Sequence, residues 1–249
     1  MEKIIEVKDV IVEYLLGKVV VSALRGINLE IEKGDFIAVM GKSGSGKSTL
    51  LQIIGGLQRP TKGKVFINGV DLSKLDENGV AIFRRKNIGF VFQAYNLIPI
   101  LTAIENVELP MIFYNMPQKQ RTEKATKILY KMGLSDRLNH KPSELSGGEQ
   151  QRVGIARSLA NDPEIILADE PTGNLDSKSG ESIMEEFVEV NRSFGKTVVI
   201  VTHARDVALY ANKIIHIKDG LIESIEDVRR NWWKKFYHLF LFYVLFLEE

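Results

Sequence analysis

The 249-residue chain has no cysteine. That excludes a disulfide framework, a thiolate nucleophile and a cysteine-held zinc, and it fits a reducing compartment. Proline is scarce at 7 residues and glycine stands at 20, so a collagenous or wholly disordered chain is excluded. Neither sign of charge is in surplus: 33 basic against 32 acidic side chains leave +1, with the signs interspersed. A dense positive face is therefore missing, and no nucleic acid is expected as partner. No apolar run reaches the about 18–20 residues that a membrane-spanning helix needs. The opening MEKIIEVKDV lacks the apolar core of a secretory signal and reads as a strand of a cytoplasmic protein. Internal repeats and low-complexity linkers are also missing, so one principal domain is expected, long enough for a sizeable core.

What is present begins as β structure. Residues 4–12 and 19–31 alternate in polarity around turn chemistry at 16–18 and 32–34. Residues 36–40 are continuously apolar, as in a strand buried on both faces. A glycine-rich loop at 41–46 follows, then a helix from Lys47 that stops at Gly55-Gly56. Residues 64–67 with Asn68-Gly69 read as a strand and tight turn. From about 94 to 161 strand signals give way to helical periodicity, with Ala125, Ile128, Leu129 and Met132 on one face. Buried strands at 165–168 and 198–202 flank an amphipathic helix starting near Ser177. Residues 214–218 and 221–224 make a hairpin around Asp219-Gly220. Alternating strand and helix predicts a parallel α/β sheet.

Gly41-Lys42-Ser43-Gly44-Ser45-Gly46-Lys47-Ser48, with Thr49 behind it, fits the phosphate-loop pattern G-x-x-x-x-G-K-[ST] in the required strand–loop–helix setting. Glycines let several N–H groups converge on one anion, and the helix amino terminus adds partial positive charge. Lys47 would sit near the β- and γ-phosphates and Ser48 would hold Mg²⁺. The chain is therefore expected to bind a nucleoside triphosphate. Residues 165–168 lead into Asp169-Glu170, at the strand end where ligands gather in a parallel sheet. Asp169 would complete the Mg²⁺ shell, and Glu170 would polarise a water.

Leu145-Ser146-Gly147-Gly148-Glu149-Gln150-Gln151-Arg152 adds a second anion site, with a helix expected from Gln151 to Leu159. Here the chain resembles the ATP-binding subunits of ABC transporters, over about residues 1–224. Other marks of that family follow in order: Tyr14, Gln93, Leu175-Asp176 and His203. The stretch from Asn87 to Val107 is similar to the lipoprotein-release and macrolide-export type.

The resemblance implies a P-loop NTPase core of RecA-like α/β fold, with an antiparallel β subdomain and an inserted helical subdomain at about 94–161. It implies an ATPase at 1–225 that uses ATP and Mg²⁺ and forms a head-to-tail homodimer. Tyr14 would stack on adenine, and Ser146, Gly147 and Gly148 of the trans signature, which Glu149 completes, would meet the γ-phosphate bound to the other copy. Gln93 would sense Mg²⁺ and the attacking water, His203 would contact the γ-phosphate, and Asp176 would link the two sites. A membrane-spanning permease subunit is the implied partner, with the chain peripheral on the cytoplasmic face. Exposed Leu97, Ile98 and Ile100 would suit a helix of that partner.

Three positions depart from the family pattern: Lys42 replaces a frequent proline, Glu149 a glutamine, and Ala204 an aspartate that would support His203. None removes a catalytic group. The tail, 226–249, is set apart: residues 232–247 hold eight of the 21 aromatic side chains. Its residues 236–247 would form a helix of about 18 Å, apolar on every face and too short to span a bilayer. Basic and tryptophan residues ahead of it suit a membrane surface or the membrane subunit, while folding back on the domain, dimerising through the tail, or a disordered or aggregation-prone terminus are the other readings. The alternatives to a transport engine are an ATP-dependent regulatory or scaffold protein of the same family, and a soluble ATPase of translation or repair.

Overall fold

The computed structural model describes residues 2–228. The expectations for the aromatic tail beyond Val228 lie outside them. Strands β1 (Lys3–Leu16) and β2 (Val19–Glu32) form a long antiparallel hairpin. Its inward positions slip from Ile5 and Val7 to Val10 and Val12 across a bulge at Asp9, whose φ is 48° and whose N–H donates to Asn28 Oδ1. Strand β3 (Phe36–Met40) leads into the loop and α1 (Lys47–Ile54). Strands β4 (Lys62–Ile67) and β5 (Val70–Asp71) join through Asn68-Gly69, both at positive φ, as a two-residue hairpin demands. Helix α2 (Glu77–Asn87) and β6 (Ile88–Phe92) follow.

Three helices then fill the region read as a helical subdomain: α3 (Ala103–Ile112), α4 (Gln118–Lys131) and α5 (Gly147–Leu159). Thr102 and Ser146 close capping boxes with Glu105 and Glu149 at the starts of α3 and α5. The chain ends its described course with β7 (Ile165–Asp169), α6 (Ser177–Arg192), β8 (Thr197–Thr202), α7 (Arg205–Ala208), β9 (Lys213–Lys218) and β10 (Leu221–Asp227).

The first sheet is antiparallel in the order β2-β1-β4-β5, and the second runs β10-β9-β3-β8-β7-β6. In the second, β9, β3, β8, β7 and β6 are parallel and only β10 is antiparallel. The apolar strands feed two cores. Phe36, Ala38, Ile166, Ala168, Val198 and Ile200 face helices α3 to α7, while Ile37, Val39, Leu167 and Val199 face α1 and the antiparallel sheet. A run buried on both faces is what such strands require.

Several sequence expectations need correction. Helix α5 begins at Gly147, not Gln151, because the Ser146–Glu149 capping box outweighs the poor helix propensity of two glycines. Helix α2 had no counterpart in the sequence reading, since none of its residues is buried and no apolar stripe marks it. Leu97 packs against the helical core and Ile98 is half-buried, which leaves Ile100, 78% exposed, as the free apolar side chain of that trio.

Candidate functional site

The carboxyl ends of β3, β6, β7 and β8 converge at one edge of the parallel sheet, where ligands bind in open α/β folds. The loop after β3 is shaped by close approach. A Cβ at Gly41 would lie 2.2 Å from Ile217 O, and one at Gly46, φ 103°, 2.5 Å from Ala23 O. No side chain fits either place, so the backbone wraps tightly and its N–H groups stay together. Lys47 is almost fully buried and donates across the loop to Lys42 O at 2.9 Å. Ser45 Oγ is buried without a partner.

Ser43, Gly44, Gly46, Lys47, Ser48 and Thr49 line a cleft of about 640 Å³ together with Ala23, Glu170 and His203. At its floor Ser48 Oγ donates to Asp169 Oδ1 at 3.2 Å. Burial holds the Asp169 carboxyl above its ordinary value, and the Glu170 charge adds to that; the Ser48 bond and the Lys47 ammonium oppose it. Glu170 follows with φ 45°, its N–H bound to Val201 O at 2.9 Å. Its Oε1 lies 3.2 Å from His203 Nδ1. The Ser48 hydroxyl, an ammonium, loop N–H donors and a carboxylate–imidazole pair thus share one cleft, and Asp169, bonded to Ser48, adds a second oxygen suited to a hard cation.

The other sequence-marked residues do not line this cleft. Gln93, after β6, pairs reciprocally with Asn174: Gln93 Nε2 to Asn174 Oδ1 at 3.3 Å, and Asn174 Nδ2 to Gln93 O at 3.0 Å. Ser146 caps α5, with Gly147 and Gly148 in its first turn. Glu149 Oε2 accepts from Ser146 N–H and Oε1 from Arg137 Nε, which together hold its carboxyl below the usual range. Asp176 caps α6 through Ser179 N–H and Oγ, which likewise lowers it. Tyr14 stands on β1, partly exposed, with its hydroxyl donating to Gln58 Oε1 at 2.7 Å. The backbone N–H of Ala204 is bound by Thr202 Oγ1, a local support beside His203.

Three residues that organise the site were given no role there from the sequence. Asn174 holds Gln93. Gln151 is wholly buried and donates to Pro171 O at 2.7 Å. Arg157 forks onto Tyr95 O and Asn96 O at 2.8 and 2.5 Å, gripping two successive residues at positive φ just past Gln93. Each binds a main-chain carbonyl, a partner that leaves no mark in the sequence; only the bulk of polar residues at inward helical positions could have betrayed Gln151.

The chain matches the ABC transporter family over residues 24–173. An ABC transporter ATP-binding protein of Thermotoga maritima is 54% identical over 226 residues, 91% of this chain and 96% of that protein. The macrolide export ATP-binding/permease protein MacB of Vibrio parahaemolyticus is 48% identical over 219 residues, which are 88% of this chain and 33% of MacB. Among solved structures, the dimeric post-hydrolysis state of the Methanocaldococcus jannaschii ATP-binding cassette MJ0796, bound to ADP and Pi, aligns with a TM-score of 0.84. It is 49% identical and covers 90% of this chain and 98% of its own. The chain therefore belongs to the ABC transporter family. Within that family it is an ATP-binding cassette, an ATPase of P-loop α/β fold.

Proposed function

We propose that the chain is the ATP-driven engine of an export or mechanotransmission system, working as two head-to-tail copies on a separate membrane-spanning subunit. The observation that carries this is a divided site. P-loop residues from Ser43 to Thr49, Glu170 and His203 share one cleft, with Asp169 hydrogen-bonded to Ser48, while Ser146, Gly147 and Gly148 lie outside its lining. A second copy would bring those donors to the open side of the cleft. The dimeric state of MJ0796 and the pairing of cassette with permease in MacB, a macrolide export ATP-binding/permease protein, support the same reading.

In that arrangement the loop from Gly41 to Thr49 wraps the phosphates and Lys47 leaves Lys42 O for them. Ser48 and Asp169, with Gln93, offer the oxygen donors that Mg²⁺ favours. Magnesium, when bound, supplies neutralisation of phosphate charge. Glu170 takes the proton of the attacking water, and His203, oriented by Glu170, steadies the γ-phosphate. Tyr14 stacks on the adenine, and Asp176 at the α6 cap faces the second site.

The permease contact falls on a groove of about 700 Å³ beside the segment after Gln93. Phe90, Leu109 and Phe113 give it apolar walls, and among the described residues Arg84, Arg85 and Arg157 are its charged lining. An apolar helix bearing a carboxylate complements it. The chain then sits on the cytoplasmic face through this partner. Residues 229–249 add contact with the membrane surface, so their deletion should spare ATP binding and reduce membrane retention; unchanged retention refutes the tail's role.

The central test is the solution mass of the Glu170→Gln protein with and without Mg²⁺-ATP, beside phosphate release by the wild type. The mass should double with ATP and the variant should stop releasing phosphate. A mass that stays monomeric overturns the head-to-tail closure, and continued phosphate release overturns the role of Glu170.

A further inference from the structure

The turn 170–176 is bound from four sides. Glu170 N–H reaches Val201 O on β8, Gly173 N–H closes back on Glu170 O at 3.0 Å, Asn174 holds Gln93, and Asp176 caps α6. The fifth restraint comes from α5. Gln151 is 0% exposed, and its Nε2 donates at 2.7 Å to the carbonyl of Pro171, the residue after Glu170. The same turn lies along the first turns of α5: a Cβ at Gly147 would meet Leu175 Cδ2 at 3.2 Å. Gln151 Oε1 is buried with no partner, so this side chain is kept in the core for a single bond.

A buried amide with an orphaned oxygen is expensive for packing alone, since an apolar side chain of similar size would fill the space without it. Glu170 itself holds φ 45°, a backbone region that a non-glycine residue leaves unless its surroundings fix it. We propose that Gln151 is a positioning residue for hydrolysis. Its amide fixes the Pro171 carbonyl, and with it the strained turn that aims the Glu170 carboxylate. It also ties that turn to the helix whose first residues are Gly147 and Gly148. Binding at the amino end of α5 is thereby transmitted to Glu170 of the same chain. The inference rests on the reading of Glu170 as general base, and the test separates the two.

Steady-state ATP turnover is compared in the full chain for the wild type, Gln151→Met, Gln151→Glu, Glu170→Gln and the double variant Gln151→Met/Glu170→Gln. All are measured well below each variant's own melting temperature. Methionine keeps the volume and loses the donor; glutamate keeps an acceptor and faces the Pro171 carbonyl with it. Misplacement of about 1 Å at a reacting group lowers rate by about a hundredfold. We expect kcat to fall about 10- to 100-fold in both single Gln151 variants, with KM for ATP within about twofold of the wild type. The double variant should be no slower than Glu170→Gln alone, because two residues acting through one group are not additive.

A folded Gln151→Met protein with wild-type kcat overturns the proposal. So does a Gln151→Met loss that multiplies the loss of Glu170→Gln, which would mean that Gln151 acts elsewhere. Failure of both Gln151 variants to fold makes the residue a packing element and overturns it equally. Full turnover by Glu170→Gln would instead refute the general-base reading.

Discussion

Asn106 on α3 gives the sharpest test of how the segment after Gln93 is held. It is wholly buried, and its Oδ1 accepts the Ile98 N–H at 2.8 Å. Its Nδ2 serves three carbonyls, of Ile98, Leu101 and Thr102, at 3.2, 3.2 and 3.0 Å. Replacement by leucine keeps the volume and removes all four bonds. Two carbonyls retain another donor: Thr102 O keeps Asn106 N–H, and Ile98 O keeps Leu101 N–H. The loss therefore concentrates on Ile98 N–H and Leu101 O. An orphaned buried group costs about 1–3 kcal/mol, and these two residues are half-buried, so the lower end applies and the sum is about 2–3 kcal/mol. For a domain of this size each kcal/mol moves Tm by about 2–4 °C, which gives a fall of about 4–12 °C.

Thermal and urea unfolding of Asn106→Leu against the wild type measure this. Asn106→Asp supplies the second arm. Its carboxylate keeps the Ile98 bond but turns toward three carbonyls, so it should unfold more easily than Asn106→Leu at neutral pH and recover as acid protonates it. An Asn106→Leu midpoint within about 0.5 kcal/mol of the wild type would show that water replaces these bonds and refute the accounting.

Three further outcomes follow from the site. Burial raises the Asp169 carboxyl, so its favourable contribution is present below the ordinary carboxylate value and lost as pH rises through the raised one. Asp169→Asn should hence raise the neutral-pH melting point without nucleotide while abolishing Mg²⁺-dependent turnover; a lowered melting point refutes the sign. Glu149 is shifted the other way, and its contribution is present above the ordinary value and lost as pH falls through the lowered one. Glu149→Gln keeps the capping box and loses a partly exposed ion pair to Arg137, so it should cost at most about 1 kcal/mol at pH 7 and flatten the acid side of the stability profile. An unflattened acid limb sinks that assignment. Gly46→Ala, at φ 103° and 2.5 Å from Ala23 O, should abolish nucleotide binding. Gly44→Ala, strained at φ 76° but with open space around it, should bind more weakly yet measurably; equal losses would mean that strain, not the clash, dominates.

Sequence alone placed β3 to the residue and β7 and β8 to within one residue, because a strand buried on both faces is an unbroken apolar run with few alternatives. The loop from Gly41 to Ser48 was legible for a different reason: all its chemistry is contiguous, and glycine is the only residue that its φ angles and its approach to Ile217 and Ala23 permit. Helix α2 was illegible because it buries nothing. Its surviving signal is the Asp76 cap, whose side chain accepts from Gly79 N–H. Gln151, Arg157 and Asn174 were illegible because their partners are backbone carbonyls, and every residue type carries one.

Those carbonyl contacts decide what kind of object the site is. Glu170 at φ 45° stores about 1–3 kcal/mol of backbone strain, and each hydrogen bond around the turn returns about 0.5–1.5 kcal/mol net. Val201 O, Gly173 N–H, Gln151, the Gln93–Asn174 pair and the Asp176–Ser179 cap together outweigh the strain, whereas a single bond falls short of its upper range. The conformation is therefore held by a set, and the members come from β8, α5, α6 and the segment after β6. A change in any of these elements alters the aim of one carboxylate without touching the hydrophobic cores beneath. On the proposed reading of Glu170, catalytic geometry in this cassette answers to β8, α5, α6 and the segment after β6 together.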